Sequence, residues 1–376
     1  MTSAADLAAA AATVPATAAD ASAPPAVPDP LVLDVVAWRD RAARHADRAD
    51  AFSAGFRARR LAGRTHEVDD FLFTYYPHKP SLLRRWHPGA GVVLADAAGD
   101  ERAAWRWYVA DEGRASGGVR VDASAYLEAR GSTASFIERI LGRTAERPGR
   151  FSCFGLHEWA MVYKVGPGEQ RHERLPLRLG SAATDEVVET HKLACTHIDA
   201  FRFFTPEAVP RNALAPTRET QPDLEQPGCL HAGMDVYKWA TKLGPLVPGE
   251  TLLDAFELAR DIRSLDMRAS PYDVSGLGLE AVRIEEPAGK ARYAAEQRGF
   301  AERSNALRAR ILAELARARR AAAAGLYPSL DAACVAMQQG GAARGPDPDA
   351  RSQFDQDYRI FLEMLRQRQV LDAMIG

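Results

Sequence analysis

The sequence predicts an α+β protein, dominated by helix and carrying a short, mainly antiparallel sheet. Three observations carry that expectation. Short β-branched and apolar runs bounded by Gly, Pro and Asp recur through the first two hundred residues, apolar residues at helical spacing dominate after Pro227, and an Ala/Arg-rich stretch fills residues 287–324. Residues 1–30 are almost wholly Ala, Pro, Thr, Ser, Val and Asp, too poor in bulky apolar surface to offset ordering entropy, and read as a disordered tail. From Leu31 to Ala62, Val35, Trp38, Ala42, His45 and Phe52 fall near one face of a helix. Residues 66–94 pack aromatics among prolines and end in a strand at Val92 to Leu94, with further strands expected at Trp105 to Val109 and Gly118 to Val121. Ser132 reads as the N-cap of a helix over 135–141, and Pro148-Gly149 as its closing turn. Residues 151–165, 175–179 and 192–204 alternate well enough to predict a small central sheet. After Pro227-Gly228 one helix runs to Gly244-Pro245 and another from Gly249 to Asp266; the long 287–324 helix is expected to break near Gly299. Residues 31–325 therefore read as one globular catalytic domain, 326–348 as a linker, and 349–376 as an appended amphipathic helix, a candidate interaction module.

With 376 residues, 47% hydrophobic and 26% charged, core burial is not limiting. A formal net charge of -2 excludes the strongly basic field of a sequence-blind nucleic-acid coater, though a local basic face remains compatible. Four cysteines in so long a chain, with no apolar segment behind a basic N-terminal region, argue against a disulfide-stapled secreted protein, so cytoplasm is the expected location. No run approaches the roughly 18 apolar residues needed to span a bilayer, so no membrane partner is expected.

Residues 151–239 hold three of the four cysteines and five of the nine histidines. Such residues supply proton transfer and metal ligation. Cys195-x-His197 and Cys229-x-His231, with His157 nearby and Asp199 or Glu158 in support, are candidate ligands of a zinc or iron ion; the plainer account makes the cysteines small buried residues and the histidines hydrogen-bonded core groups. Glu158, beside His157 and Trp159, is the leading candidate general base, because a carboxyl against an indole is harder to ionise. Asp235, one turn after His231, is the second, with His157 and His231 positioning them. In FELARDIRSLDMRASPYD, acids and arginines at helical spacing predict an internal ion-pair network. A third group joins Tyr75, Tyr76 and Trp86 to Lys79, Arg84 and Arg85, a mixture that stacks on a base while contacting phosphate, or else a packed loop with solvated arginines. No phosphate loop, nucleophile elbow or dinucleotide fingerprint is present.

The strings HEVDDFLFTYYPHKPSLLRRWHPG, RFSCFGLHEWAMVYK, THIDAFRFFTP, RETQPDLEQPGCLHAGMDVYKWA and ELARDIRSLDMRASPYD resemble those of a bacterial family commonly labelled 3-methyladenine DNA glycosylase, over residues 64–310. The resemblance implies hydrolysis of the N-glycosidic bond of an alkylated adenine flipped out of DNA in base excision repair, with no cofactor required. On that expectation Trp159, Tyr163, Tyr75 and Trp86 offer electron-rich rings to the cationic base, and Glu158 or Asp235 orients water or stabilises the sugar cation. Lys79, Arg84 and Arg85 would contact phosphates. The competing expectation is a metal-dependent enzyme on a small molecule, with His197, Cys229, His231 and Asp199 at the metal.

Overall fold

The computed structural model describes residues 31–326 apart from 77, 112, 167–169, 171 and 173. The expected disordered tail and the appended C-terminal helix lie outside the described residues. Two units divide at Ala321/Ala322, and the elements below belong to the first, with the last helix running on past the boundary.

A strand β1 (Leu31–Leu33) precedes α1 (Val35–Leu61), whose first turn is capped by Asp34 accepting from Ala37 N at 2.8 Å. Trp38, His45, Ala49, Ser53 and Phe56 form its buried stripe. The expected helix thus forms, but it starts after a strand, because Leu31 to Leu33 pair in register with Val92 to Leu94. Short helices α2 (Phe71–Tyr75) and α3 (Pro80–Leu83) lead to β2 (Val92–Leu94), β3 (Tyr108–Asp111) and β4 (Gly118–Val121). The sheet order is β1-β2-β4-β3; β1 with β2 is parallel, and β2 with β4 and β4 with β3 are antiparallel. The sheet is therefore mixed, since β1 arrives on the same heading as β2 after a long crossover. Its buried face packs Trp38, Trp86, Val92, Leu94, Ala97 and Val119 together. Val92, Leu94 and Val119 each contribute about 1.5–3 kcal/mol on burial.

α4 (Ala123–Glu146) begins ahead of the expected helix, capped by Asp122, and kinks at Arg130, two residues before the expected cap Ser132, so that its second half carries the expected 135–141 helix. The central sheet expected between residues 151 and 204 does not form among the described residues. Helices α5 (Leu156–Ala160), α6 (Gly180–Thr190) and α7 (Ile198–Phe201) stand there, with isolated bridges at Leu177 to Tyr272 and Leu193 to Asn212. Burial outweighed strand propensity in this stretch: Trp159 is sealed in the core and its Nε1 donates to Ala269 O at 2.9 Å.

α8 (Gln221–Leu224) precedes the two central helices α9 (Leu230–Leu243) and α10 (Gly249–Arg268). They pack along their lengths, with the Tyr237 ring edge-on to Phe256 at 5.2 Å between centroids and Ile262 close against Gly233. α11 (Pro287–Leu326) continues through Gly299 without the expected break. It is pinned to α9 by Arg308, which is fully buried and donates to Ala232 O at 2.8 Å. No described helix is long and apolar enough to cross a membrane.

Candidate metal centre

Short local signals aim the chemical side chains. Gly155, at φ 70, turns the chain into α5, and a Cβ there would meet the Tyr293 ring at 3.4 Å. α5 then buries His157 and Glu158. Cys229, in extended conformation, is the N-cap of α9, so His231 lies in its first turn and Asp235 one turn later. His197 is the N-cap of α7 and accepts from Asp199 N at 3.2 Å. Each Cys-x-His pair therefore spans a helix start, and that is how both members face inward without a strand. On α10, Arg263 and Asp266 are three residues apart on one face, both buried.

His157, His231 and Asp266 each offer one donor atom, and these lie within 4.8 Å of one another. His157 Nε2 stands 3.0 Å from Asp266 Oδ1, a buried charge pair whose angles depart from an ideal hydrogen bond. The His231 ring stands edge-on to His157, centroids 4.5 Å apart, and no hydrogen bond reaches it among the described residues. Burial and the neighbouring His157 hold its pKa well below the usual imidazole range, leaving it neutral with a lone pair to give. Burial opposes charge on Asp266, but His157, His231 and Arg263 prevail and its pKa is lowered. Burial likewise opposes a proton on His157, and Asp266 reverses that, raising its pKa. Arg263 Nη1 donates to Asp266 Oδ2 at 3.2 Å and to Glu158 Oε1 at 3.0 Å, tying the second oxygen of Asp266 in place.

A second group, His197, Glu225 and Asp235, adjoins the first through the His197 and His231 rings, 5.4 Å apart. Its character differs. His197 Nε2 lies 3.0 Å from Glu225 Oε1 and 3.2 Å from Asp235 Oδ2. Burial opposes charge on His197, but these carboxylates push its pKa up to about 9, while the capping amide of Asp199 disfavours a proton on Nδ1. Both influences place a proton on Nε2, which therefore donates and does not ligate. Lys238 pairs with Asp235 and, at 3.3 Å, with Asp199; Arg218 grips Asp199 at 2.5 and 3.1 Å; Tyr76 OH donates to Asp235 at 3.3 Å; Gln221 donates to Glu225 at 2.5 Å. Three carboxylates thus meet three cationic side chains, and this group is a satisfied ion-pair cluster.

Beside the first group lies a cavity lined by Cys153, Cys195, Cys229, His157, His231 and Tyr293. The space in it open to the centres of water-sized atoms is about 40 Å³. At roughly 10–15 Å³ each, that admits a few such atoms. The three cysteines are free, and burial pushes their thiols up, Cys195 to about 12. Gln226 Oε1 accepts from both Arg150 N and Gly228 N, at 2.7 and 2.8 Å, stitching the chain before Cys153 to the turn before Cys229.

The stacking and phosphate-contacting candidates do not surround one cavity. Tyr76, Trp86, Trp159 and Tyr163 are buried in packing; Trp86 donates to Glu250 at 3.1 Å and Tyr163 to Glu189 at 2.9 Å. Tyr75 stacks on Phe71 with centroids 4.9 Å apart and lines an open cleft with His66. Lys79, Arg84 and Arg85 are exposed, Arg84 pairing with Asp50 at 3.0 Å and Arg85 lying over Trp105. Of the metal candidates, His231 lies at the first group, His197 and Asp199 in the ion-pair cluster, and Cys229 on the cavity wall; Asp235 belongs to the ion-pair cluster. Asp266 as a ligand was missed by sequence reasoning, as were Glu225, Lys238 and Gln226. The one signal for Asp266 was a carboxylate between Leu265 and Met267 on a helix otherwise apolar on that side. No family model matches the chain, and no curated protein or solved structure matches it.

Proposed function

We propose that this protein is a metal-dependent enzyme acting on a small molecule, with His157, His231 and Asp266 holding a divalent iron or zinc ion. One observation carries the reading: two imidazole nitrogens and a carboxylate oxygen lie within 4.8 Å of one another, buried or nearly so, at the edge of a cavity. Two imidazoles and one carboxylate are a donor set suited to iron(II) or zinc, and three protein ligands leave positions open for water or substrate. Such an ion acts as a Lewis acid on an oxygen bound in the cavity. Arg263 serves it by orienting Asp266, and Glu158 by orienting Arg263. The cavity volume confines the bound group to a small molecule or the end of a larger one.

The glycosylase reading rests on the sequence resemblance and on exposed Lys79, Arg84 and Arg85. Its two candidate carboxylates, Glu158 and Asp235, stand buried in ion pairs with Arg263 and Lys238, and so the geometry favours the metal reading. Elemental analysis of the purified full chain decides between them, with base release from alkylated DNA measured on the same preparation. Near-stoichiometric iron or zinc, lost in His231→Ala and Asp266→Asn but kept in Asp235→Asn, is the expected result. Release of 3-methyladenine by metal-free protein, falling in Glu158→Gln, would move the conclusion to the glycosylase.

A further inference from the structure

We propose that the cavity beside His157 and His231 takes a short carboxylic acid, with Arg150 pairing with its carboxylate at the mouth and the Tyr293 hydroxyl donating to a second oxygen at the buried end. Exposure grades along the lining and sets the direction of entry. Arg150 and Ser152 are exposed, Cys153, Cys195 and Cys229 are partly so, and Leu156, His157 and Tyr293 are buried. An entering molecule therefore meets the arginine first, and the tyrosine and His157 last.

Charge selects an anion. Among the described residues, Arg150 is the only Arg, Lys, Asp or Glu on the lining, and its guanidinium meets no carboxylate. Its base is fixed where its head is free, because Arg150 N donates to Gln226 Oε1 at 2.7 Å and Gly228 packs against the same backbone. A guanidinium so placed presents a planar fork that matches a carboxylate. The buried end supplies the second contact. Tyr293 is fully buried on α11, and its hydroxyl, held against the turn at Gly155 and bordering Cys153, has no oxygen or nitrogen partner among the described residues. A thiol is a weak acceptor, so a substrate oxygen is the better one. Burial pushes the Tyr293 pKa well above the usual phenol range, which keeps the proton that it donates. Between the two ends Leu193, Phe204 and Leu230 form an apolar wall that accepts carbon and rejects a second charge. The space of about 40 Å³ admits about three or four water-sized atoms behind the carboxylate. The class that fits is a hydroxy or oxo acid of about two to four carbons.

The inference rests on the metal reading for the chemistry done to the acid, while the binding itself uses Arg150 and Tyr293. Calorimetric titration of the purified full chain with glycolate, lactate and glycolamide tests it, with iron and zinc determined on each preparation. Both acids are expected to bind, and glycolamide, of the same shape without the charge, to bind about 10–100-fold more weakly. Arg150→Gln should weaken glycolate by a similar factor and abolish the preference for acid over amide. Tyr293→Phe should weaken glycolate and glycolamide alike, by about 3–10-fold. Both variants should keep the metal content of the wild type, and circular dichroism with a urea transition on each separates lost contact from misfolding. Equal affinity for glycolate and glycolamide, undiminished glycolate binding in folded Arg150→Gln, or no binding of either acid to the wild type overturns the inference. Metal present with no acid bound sinks this proposal alone, whereas acid binding that depends on Arg150 in metal-free protein sustains it and removes the ion.

Discussion

Arg263 is the residue on which the site's charges turn. It is 3% exposed, faces Glu158 and Asp266, and lies with its guanidinium 4.0 Å from the Phe71 ring centroid. Two carboxylates so deep in the fold are tolerable only with that partner, because removing one side of a buried pair strands the other. Arg263→Met is expected to lower stability by about 3–5 kcal/mol, read from urea unfolding. Arg263→Lys keeps the charge but loses the planar fork that serves two carboxylates together. It should fold, and weaken metal binding by about 10–100-fold in calorimetric titration, the usual cost of losing support for a ligand. An unchanged metal affinity in Arg263→Lys would show that Asp266 needs no such support.

At the scale of elements, the start of α9 organises the cavity. The turn ahead of it lies so close to the neighbouring chain that a Cβ on Gly228 would stand 3.0 Å from the backbone carbon and nitrogen of Arg150. Backbone cannot yield as the end of a side chain can. Gly228→Ala is therefore expected to push residues 149–151 away, break the shared bonds to Gln226 Oε1, and cost about 1–3 kcal/mol or more. The same variant should open the cavity wall that Cys153 and Cys229 share and make their thiols more accessible. Wild-type values for both the urea midpoint and thiol accessibility to a maleimide reagent would contradict this account of the wall.

For the whole molecule, acid is the expected route to unfolding, in two stages. His87 packs against Trp105 and Tyr108, and burial brings its pKa down to about 3; the unfolded ring titrates near ~6.5. Below that value the unfolded chain binds the extra proton, so stability declines as pH falls from about 6.5. Burial opposes ionisation of Asp235 and Asp199, yet Lys238 and His197 lower the first and Arg218 and Lys238 the second. Their contribution is present above the unfolded value of about 3.9 and is lost as pH falls through the depressed folded values. Urea midpoints measured from pH 6 to 3, below the range in which His157 and His197 titrate, should fall throughout, with His87→Gln flattening the upper part and Asp235→Asn the lower. A midpoint independent of pH in that range would refute both assignments. Because the first unit ends at Ala321, a chain cut after Leu326 should keep the urea transition and metal content of the full chain.

What the sequence determined by itself is what depends on neighbours in the chain. The apolar spacing of α9 and α10, the strands Val92–Leu94 and Gly118–Val121, and the helix-dominated α+β class were all legible, because helical and strand periods are local properties. So was the ion-pair network of α10, and the concentration of cysteine and histidine in residues 151–239. Tertiary structure decided the rest. Segments read as strands of a central sheet, 151–165 and 192–204, hold α5 and α7 instead, with Trp159 and Ala200 fully buried. It also chose among the candidate donors. His157 meets Asp266 from a helix more than a hundred residues earlier, whereas His197, equally promising in sequence, is turned by a helix-cap amide so that its proton faces Glu225 and Asp235. Which nitrogen carries a lone pair, and which carboxylate already has a cation, are set by contacts between distant segments, and spacing along the chain holds no record of them.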